Sequence, residues 1–132
     1  MNVVQEERNS TLMQKLCDKV RNLENVRFAG LISNFGNLYA GGFKEGVTPY
    51  ENNERRRSMY MKFALESNFR KEFDDSFGTF NYSTIHREKT SILTMNICNY
   101  LFLVFTEPDV DLDALANKIK SMINENKNEC CY

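Results

Sequence analysis

Residues 52–73, NNERRRSMYMKFALESNFRKEF, form the longest helical candidate of the chain, free of Gly and Pro, and their reading decides the fold. Glu51 and Glu54 lie near the start of this helix, where negative charge meets the positive end of its dipole. At about 100° per residue, Met59, Phe63, Phe69 and Phe73 fall on one broad side, while Tyr60, Met61, Ala64 and Leu65 take much of the other. Lys62, Glu66 and Arg70, spaced by four, run an ion-pair stripe through the first side. A helix lying on a sheet with water behind it needs one apolar face. This one has more, and two contact surfaces are the economical reading.

On the C-terminal side of the helix the apolar period changes to two. Strands are expected at Phe77 to Arg87, Thr90 to Ile97 and Tyr100 to Thr106, with turns at Glu88-Lys89 and Cys98-Asn99. Tyr100-Leu101-Phe102-Leu103-Val104-Phe105 is apolar at every position, as suits a central strand covered on both faces. Phe80, Tyr82 and Thr84 alternate with Asn81 and Ser83, as in a strand nearer an edge. Glu107-Pro108 ends the sheet. Asp109 or Asp111 can cap a last helix with Leu112, Leu115, Ala116, Ile119, Met122 and Ile123 on one stripe.

On the N-terminal side, Val26 to Phe43 reads as a β-hairpin turning at Asn34-Phe35-Gly36-Asn37, and Gly41, Gly42, Gly46 and Pro49 lead out of it. Before it, Leu12, Leu16, Val20 and Leu23, widened by Met13 and Cys17, predict a helix capped by Asn9 or Ser10. The expected order is α-β-β-α-β-β-β-α: an α+β domain with a five-stranded antiparallel sheet and helices on both faces. The domain spans residues 10–124, between a flexible N-terminus at 1–9 and a polar tail at 125–132.

The 132 residues allow one domain, and 42% hydrophobic with 27% charged residues excludes wholesale disorder. Seventeen Lys and Arg against eighteen Asp and Glu remove nucleic acid as a default partner. Met1 to Ser10 lacks the apolar stretch of a secretory signal, and no run has the length of a membrane span, so a cytoplasmic protein without integral membrane association is expected. Four cysteines without ligand spacing and a single histidine, His86, form neither a disulfide framework nor a metal site. Cys17 and Cys98 are expected as small buried hydrophobes and Cys130 and Cys131 as tail thiols.

The element order, with Asn34-Phe35-Gly36-Asn37 in the first hairpin and a long helix before three strands, resembles the roadblock/LC7 domain, a relative of longin and profilin-like folds, from Leu12 to Ile123. In detail, Val26-Arg27-Phe28-Ala29-Gly30, Ala40-Gly41-Gly42, Arg70-Lys71-Glu72-Phe73-Asp74, Arg87-Glu88-Lys89 and Thr106-Glu107-Pro108 resemble a family of small archaeal proteins of unknown function. The roadblock resemblance implies a non-catalytic module that dimerises through its long helix and third strand and that scaffolds or regulates small Ras-like GTPases. It places a homodimer surface on Tyr60, Met61, Ala64, Leu65 and Asn68 of the helix, with Phe80, Tyr82 and Thr84 of the strand.

Chemical motifs are near misses. Gly36-Asn37-Leu38-Tyr39-Ala40-Gly41 has the glycine spacing of a phosphate loop, but Gly42-Phe43 follows where Lys and Ser or Thr are needed. Arg55-Arg56-Arg57 is the densest positive cluster and a weak candidate for an acidic partner, against the plainer reading of a solvated helix start. His86 has no evident orienting partner or nucleophile, which leaves an enzyme resting only on it and on acidic pairs. Asp74-Asp75 and Asp109-Val110-Asp111-Leu112-Asp113 lack the pattern of a calcium loop and read as caps. No cofactor is expected. The leading expectation is a cytoplasmic homodimeric adaptor for a protein partner, with a small GTPase as one candidate. The alternative is a profilin-like sensor whose Phe and Met residues enclose a small molecule between sheet and helix.

Overall fold

The computed structural model describes the backbone of residues 3–130 and the side chains of residues 10–124. The expected flexible ends, with Cys130 and Cys131, fall outside the described side chains. The elements are α1 (Val3–Arg21), β1 (Val26–Ile32), β2 (Leu38–Phe43), α2 (Asn53–Lys71), α3 (Asp74–Phe77), β3 (Tyr82–His86), β4 (Ser91–Ile97), β5 (Tyr100–Thr106) and α4 (Leu112–Cys130). The sheet is antiparallel throughout in the order β2-β1-β5-β4-β3. The all-apolar strand β5 is therefore central, as its composition requires.

Side-chain alternation splits the core into two layers. On one face, Met13, Leu16, Cys17 and Val20 of α1 and Leu112, Leu115, Ala116 and Ile119 of α4 close over Ala29, Leu31, Leu93, Met95, Phe102 and Val104. Each fully buried Leu, Val or Met there contributes roughly 1.5–3 kcal/mol. On the other face, α2 lies alone over Phe28, Ile32, Ile92, Leu101, Leu103 and Phe105, covering them with Tyr60 and Ala64.

Local chemistry sets the boundaries. Asn52 caps α2 by accepting from the Arg55 amide at 2.9 Å, and Asp111 caps α4 by accepting from the Ala114 amide at 3.1 Å. Ser33 Oγ accepts from the amides of Phe35 and Asn37, building the first hairpin turn around Gly36 at φ 84°. The helices reach further than expected: Asn9 and Ser10 lie inside α1 rather than capping it, and α4 continues to Cys130. The strand expected from Phe77 begins only at Tyr82. Residues 74–77 instead make a helical turn, and Gly78 at φ 86° redirects the chain. Cys98, expected as a buried hydrophobe, is exposed in the β4–β5 turn at φ 55° and belongs to a disulfide; Cys17 is buried as expected.

Candidate functional site

The sheet covers only one face of α2, so its remaining sides determine what the chain can meet. Tyr60, Ala64 and Ser67 point onto the sheet. Tyr60 is 6% and Ala64 3% exposed, so neither belongs to a surface as the sequence expectation had it. Burial pushes the Tyr60 hydroxyl up to about 12. Turning outward, Met61, Leu65 and Phe69, spaced by four, are 60%, 55% and 56% exposed and form one apolar stripe. An apolar stripe at helical spacing that faces water is a candidate docking surface.

The two flanks of α2 have different neighbours. The first hairpin closes against the Met61 side: a Cβ on Gly36 would stand 2.7 Å from Met61 Cα, and Asn68 Nδ2 donates to the Asn34 carbonyl at 3.4 Å. Phe35 projects from that hairpin tip, 83% exposed. The Met59, Phe63 and Arg70 side leans toward β3. Met59, Phe63 and Ile85 pack at the margin of the same core cluster, and the Arg70 guanidinium lies 4.1 Å from the Phe80 ring centroid. Arg70 approaches Glu66 only at 3.8 Å, and its Nε and Nη2 are buried without a hydrogen-bond partner. Burial lowers the Arg70 pKa, with Glu66 opposing it.

β3 is an edge strand. The Arg87 amide donates to the Thr90 carbonyl at 3.0 Å, so residues 87, 85 and 83 turn their backbone groups to β4. His86, Thr84 and Tyr82 therefore turn theirs to the free edge. The Tyr82 and Thr84 side chains do not join α2: paired with Met95 and Leu93, they face the α4 layer. There the Tyr82 hydroxyl donates to Asp113 at 2.8 Å, a bond that raises its pKa, and Lys120 Nζ lies 4.9 Å from its ring. The expected eight-residue surface is thus divided. Met61 and Leu65 are on an outer stripe, Asn68 holds the hairpin, Tyr60 and Ala64 are core, Phe80 lies beneath Arg70, and Tyr82 and Thr84 present backbone.

The arginine run is divided too. Arg56 is half-buried, donating to Glu51 Oε1 at 3.0 Å and lying 4.8 Å from the Phe43 ring, whereas Arg55 and Arg57 are exposed. Beyond it, a cleft of about 410 Å³ opens between the N-terminal half of α2 and the sheet. Met59, Ile92 and Phe105 line its floor, Tyr50 a wall, and Arg87 and Lys89 its mouth. The sequence reading missed this cleft. Its signal was Arg27, a cation at the second position of an otherwise apolar strand, which donates to Glu107 and to the Thr48 carbonyl, each at 3.1 Å, and lies 4.3 Å from the Tyr50 ring.

The remaining chemical candidates resolve locally. Gly36 is a turn residue, and the Gly41 amide of the near-miss phosphate loop donates to Gln14 Oε1 at 3.0 Å. His86 is exposed; its Nδ1 is 3.3 Å from Ser91 Oγ, which donates to the Pro108 carbonyl at 2.9 Å. That hydroxyl proton is therefore already committed, and the pair lacks the geometry of base and nucleophile. Asp111 caps and Asp113 holds Tyr82. Among the described residues, no group of three or more His, Cys, Asp or Glu side chains comes together to hold a metal ion, and no helix is long and apolar enough to cross a membrane.

Comparison with known proteins gives a family and a fold. The family described as "Family of unknown function (DUF6659)" matches residues 6–131. No curated protein matches significantly. Among solved structures, MglB of Myxococcus xanthus superposes with a TM-score of 0.67 at 16% identity, over 88% of this chain and 85% of that one. The roadblock/LC7 domain from Streptomyces avermitilis gives 0.61 at 12% identity, over 90% and 94%. An MglB structure described as having a tetrameric arrangement gives 0.65 at 12% identity, over 99% and 93%. The fold is that of the roadblock/LC7 domain.

Proposed function

This chain belongs to the DUF6659 family, and from its roadblock fold and the surfaces of α2 and β3 we propose a non-catalytic homodimeric adaptor for a protein partner. The observation that carries this reading is the pair of surfaces left open around α2, the outward stripe Met61, Leu65 and Phe69 and, on the other flank, the outer edge of β3. A second copy would add to the free edge at Tyr82 and Thr84, continuing one sheet into the other. The Phe63 flank of each α2 would meet across the two-fold axis, one turn beyond Met59, so that the cleft at the start of the helix stays open. That arrangement leaves the stripe on both helices facing outward to a partner. The roadblock resemblance makes a small Ras-like GTPase the partner class to test first, with the exposed Arg55 and Arg57 as accessory contacts. The tetrameric arrangement of one MglB, which shares the fold, supports self-association. The proposed setting is the cytoplasm.

Light scattering coupled to size exclusion tests the dimer: a monomer at micromolar concentration would overturn it. Affinity capture from the source cells, compared between the natural chain and a Met61→Glu, Leu65→Glu variant, tests the stripe. The expected result is a dimeric variant that no longer retains the partner. Joint loss of dimer and partner would move the stripe into the dimer seam.

A further inference from the structure

We propose that the cleft between α2 and the sheet is a binding site for a small amphipathic anion, a compact aromatic or apolar body carrying one carboxylate, sulfonate or phosphate group. The volume of about 410 Å³ falls within the common range of ligand sites, roughly 300–1,000 Å³. The floor is apolar, since Met59, Ile92 and Phe105 all face it. The walls are held in place before any ligand arrives. Arg27 fastens the loop after β2 by donating to the Thr48 carbonyl and stacking on Tyr50, while its other side is anchored to Glu107. Arg56 fastens the end of the same loop through Glu51.

Charge at the mouth selects the sign of the ligand. Glu51 is already neutralised by Arg56, and Arg27 is paired with Glu107. What remains at the opening is Arg87 and Lys89 from the β3–β4 turn, against the single carboxylate of Glu88. Lys89 Nζ stands 5.9 Å from the Tyr50 ring, on the side where an anionic head would emerge above an aromatic body. The low-dielectric floor strengthens such a contact relative to open water. This site is separate from the partner stripe, because Met59 and Met61 lie on different sides of α2, and it goes beyond the adaptor reading.

The test is a fluorescence titration of the full chain with anilinonaphthalene sulfonate, run beside the uncharged dye Nile red, with amide-resolved NMR to locate the contact. One saturable site is expected, with shifts centred on Tyr50, Lys89 and Ile92. An Arg87→Glu, Lys89→Glu variant alters only an exposed turn and should bind the sulfonate roughly tenfold more weakly, while Nile red is unaffected. A Met59→Trp variant, checked for folding by circular dichroism, should fill the cleft and abolish binding of both dyes. The Met61→Glu, Leu65→Glu variant should leave sulfonate binding unchanged. The proposal is overturned by non-saturable binding, by sulfonate affinity that survives the charge reversal, or by shifts centred on residues 61–69.

Discussion

The two faces of the sheet differ in how many helices cover them. α1 and α4 together close one face so completely that Cys17, Val20, Leu93, Phe102, Val104, Ala116 and Ile119 have no exposed surface. α2 alone covers the other, leaving a cleft at one end and apolar side chains along its outer side. The lesson is that the sealed face supplies stability, while the singly covered face holds the surfaces available for recognition. The largest expected effect breaks the sealed side. Phe102→Ala removes a fully buried ring beneath two helices and should cost about 3–5 kcal/mol in denaturant unfolding. Phe69→Ala on the other face should change stability by no more than about 0.5 kcal/mol. Equal costs would show that the outer stripe is packed in the working molecule.

The two edges of the sheet repeat this contrast. β2 is partly closed by α1, whose Gln14 takes up the Gly41 amide, and Lys44 Nζ donates to the Leu23 carbonyl beside it. Among the described residues, no such cover lies on the outward amides of β3 at Tyr82 and Thr84. Thr84→Pro removes an outward donor, which an edge strand tolerates. The variant should remain folded by circular dichroism yet run as a monomer in light scattering. Ser83→Pro, one residue away, removes a donor to β4 and should destabilise the subunit itself. A Thr84→Pro chain that stays dimeric would place the dimer elsewhere.

Strand periodicity made the sheet legible in the sequence, and the fully apolar β5 even revealed its centre. The covered side of α2 was not legible. Tyr60, Met61, Ala64 and Leu65 form one apolar patch on a wheel, yet a flat sheet takes only a narrow arc of it, and the arc chosen depends on Gly36 closing against Met61. That Tyr82 and Thr84 share one side of their strand followed from alternation. Which layer they faced depended on β4, a partner that alternation within one strand does not identify. The cleft escaped because its walls come from residues 27, 50, 59, 87 and 89, brought together only by topology.

A smaller effect compares the two faces through pH. Burial pushes Cys17, on the sealed face, from 9.0 up to about 12, and Tyr60, beneath α2, from 10.0 up to about 12. In both cases the folded state holds its proton when the unfolded chain would release it, so stability falls as pH rises. The Cys17 contribution is intact below pH 9 and declines between about 9 and 12; the Tyr60 contribution declines between about 10 and 12. Thermal melts of Cys17→Ala should therefore lose the part of the alkaline slope that begins near pH 9, and those of Tyr60→Phe only the part above 10. An unchanged slope in both variants would mean that other groups govern alkaline unfolding.

The smallest expected effects separate three neighbours that read alike in sequence. Arg55, Arg56 and Arg57 are one positive run, but about 100° of helix rotation between successive residues gives each a different environment. Arg56 turns inward, where its charge is paired with Glu51 and its plane lies against Phe43. Arg56→Ala should cost about 1–2 kcal/mol in thermal unfolding, because the carboxylate it leaves is itself half-buried. Arg55→Ala and Arg57→Ala should each stay within about 0.5 kcal/mol. Since Arg56 also tethers the loop that carries Tyr50, its loss should weaken sulfonate binding in the cleft although it is not part of the lining. If all three substitutions prove equally neutral, the loop is held by Arg27 alone, and the ordered wall of the cleft depends on that single residue.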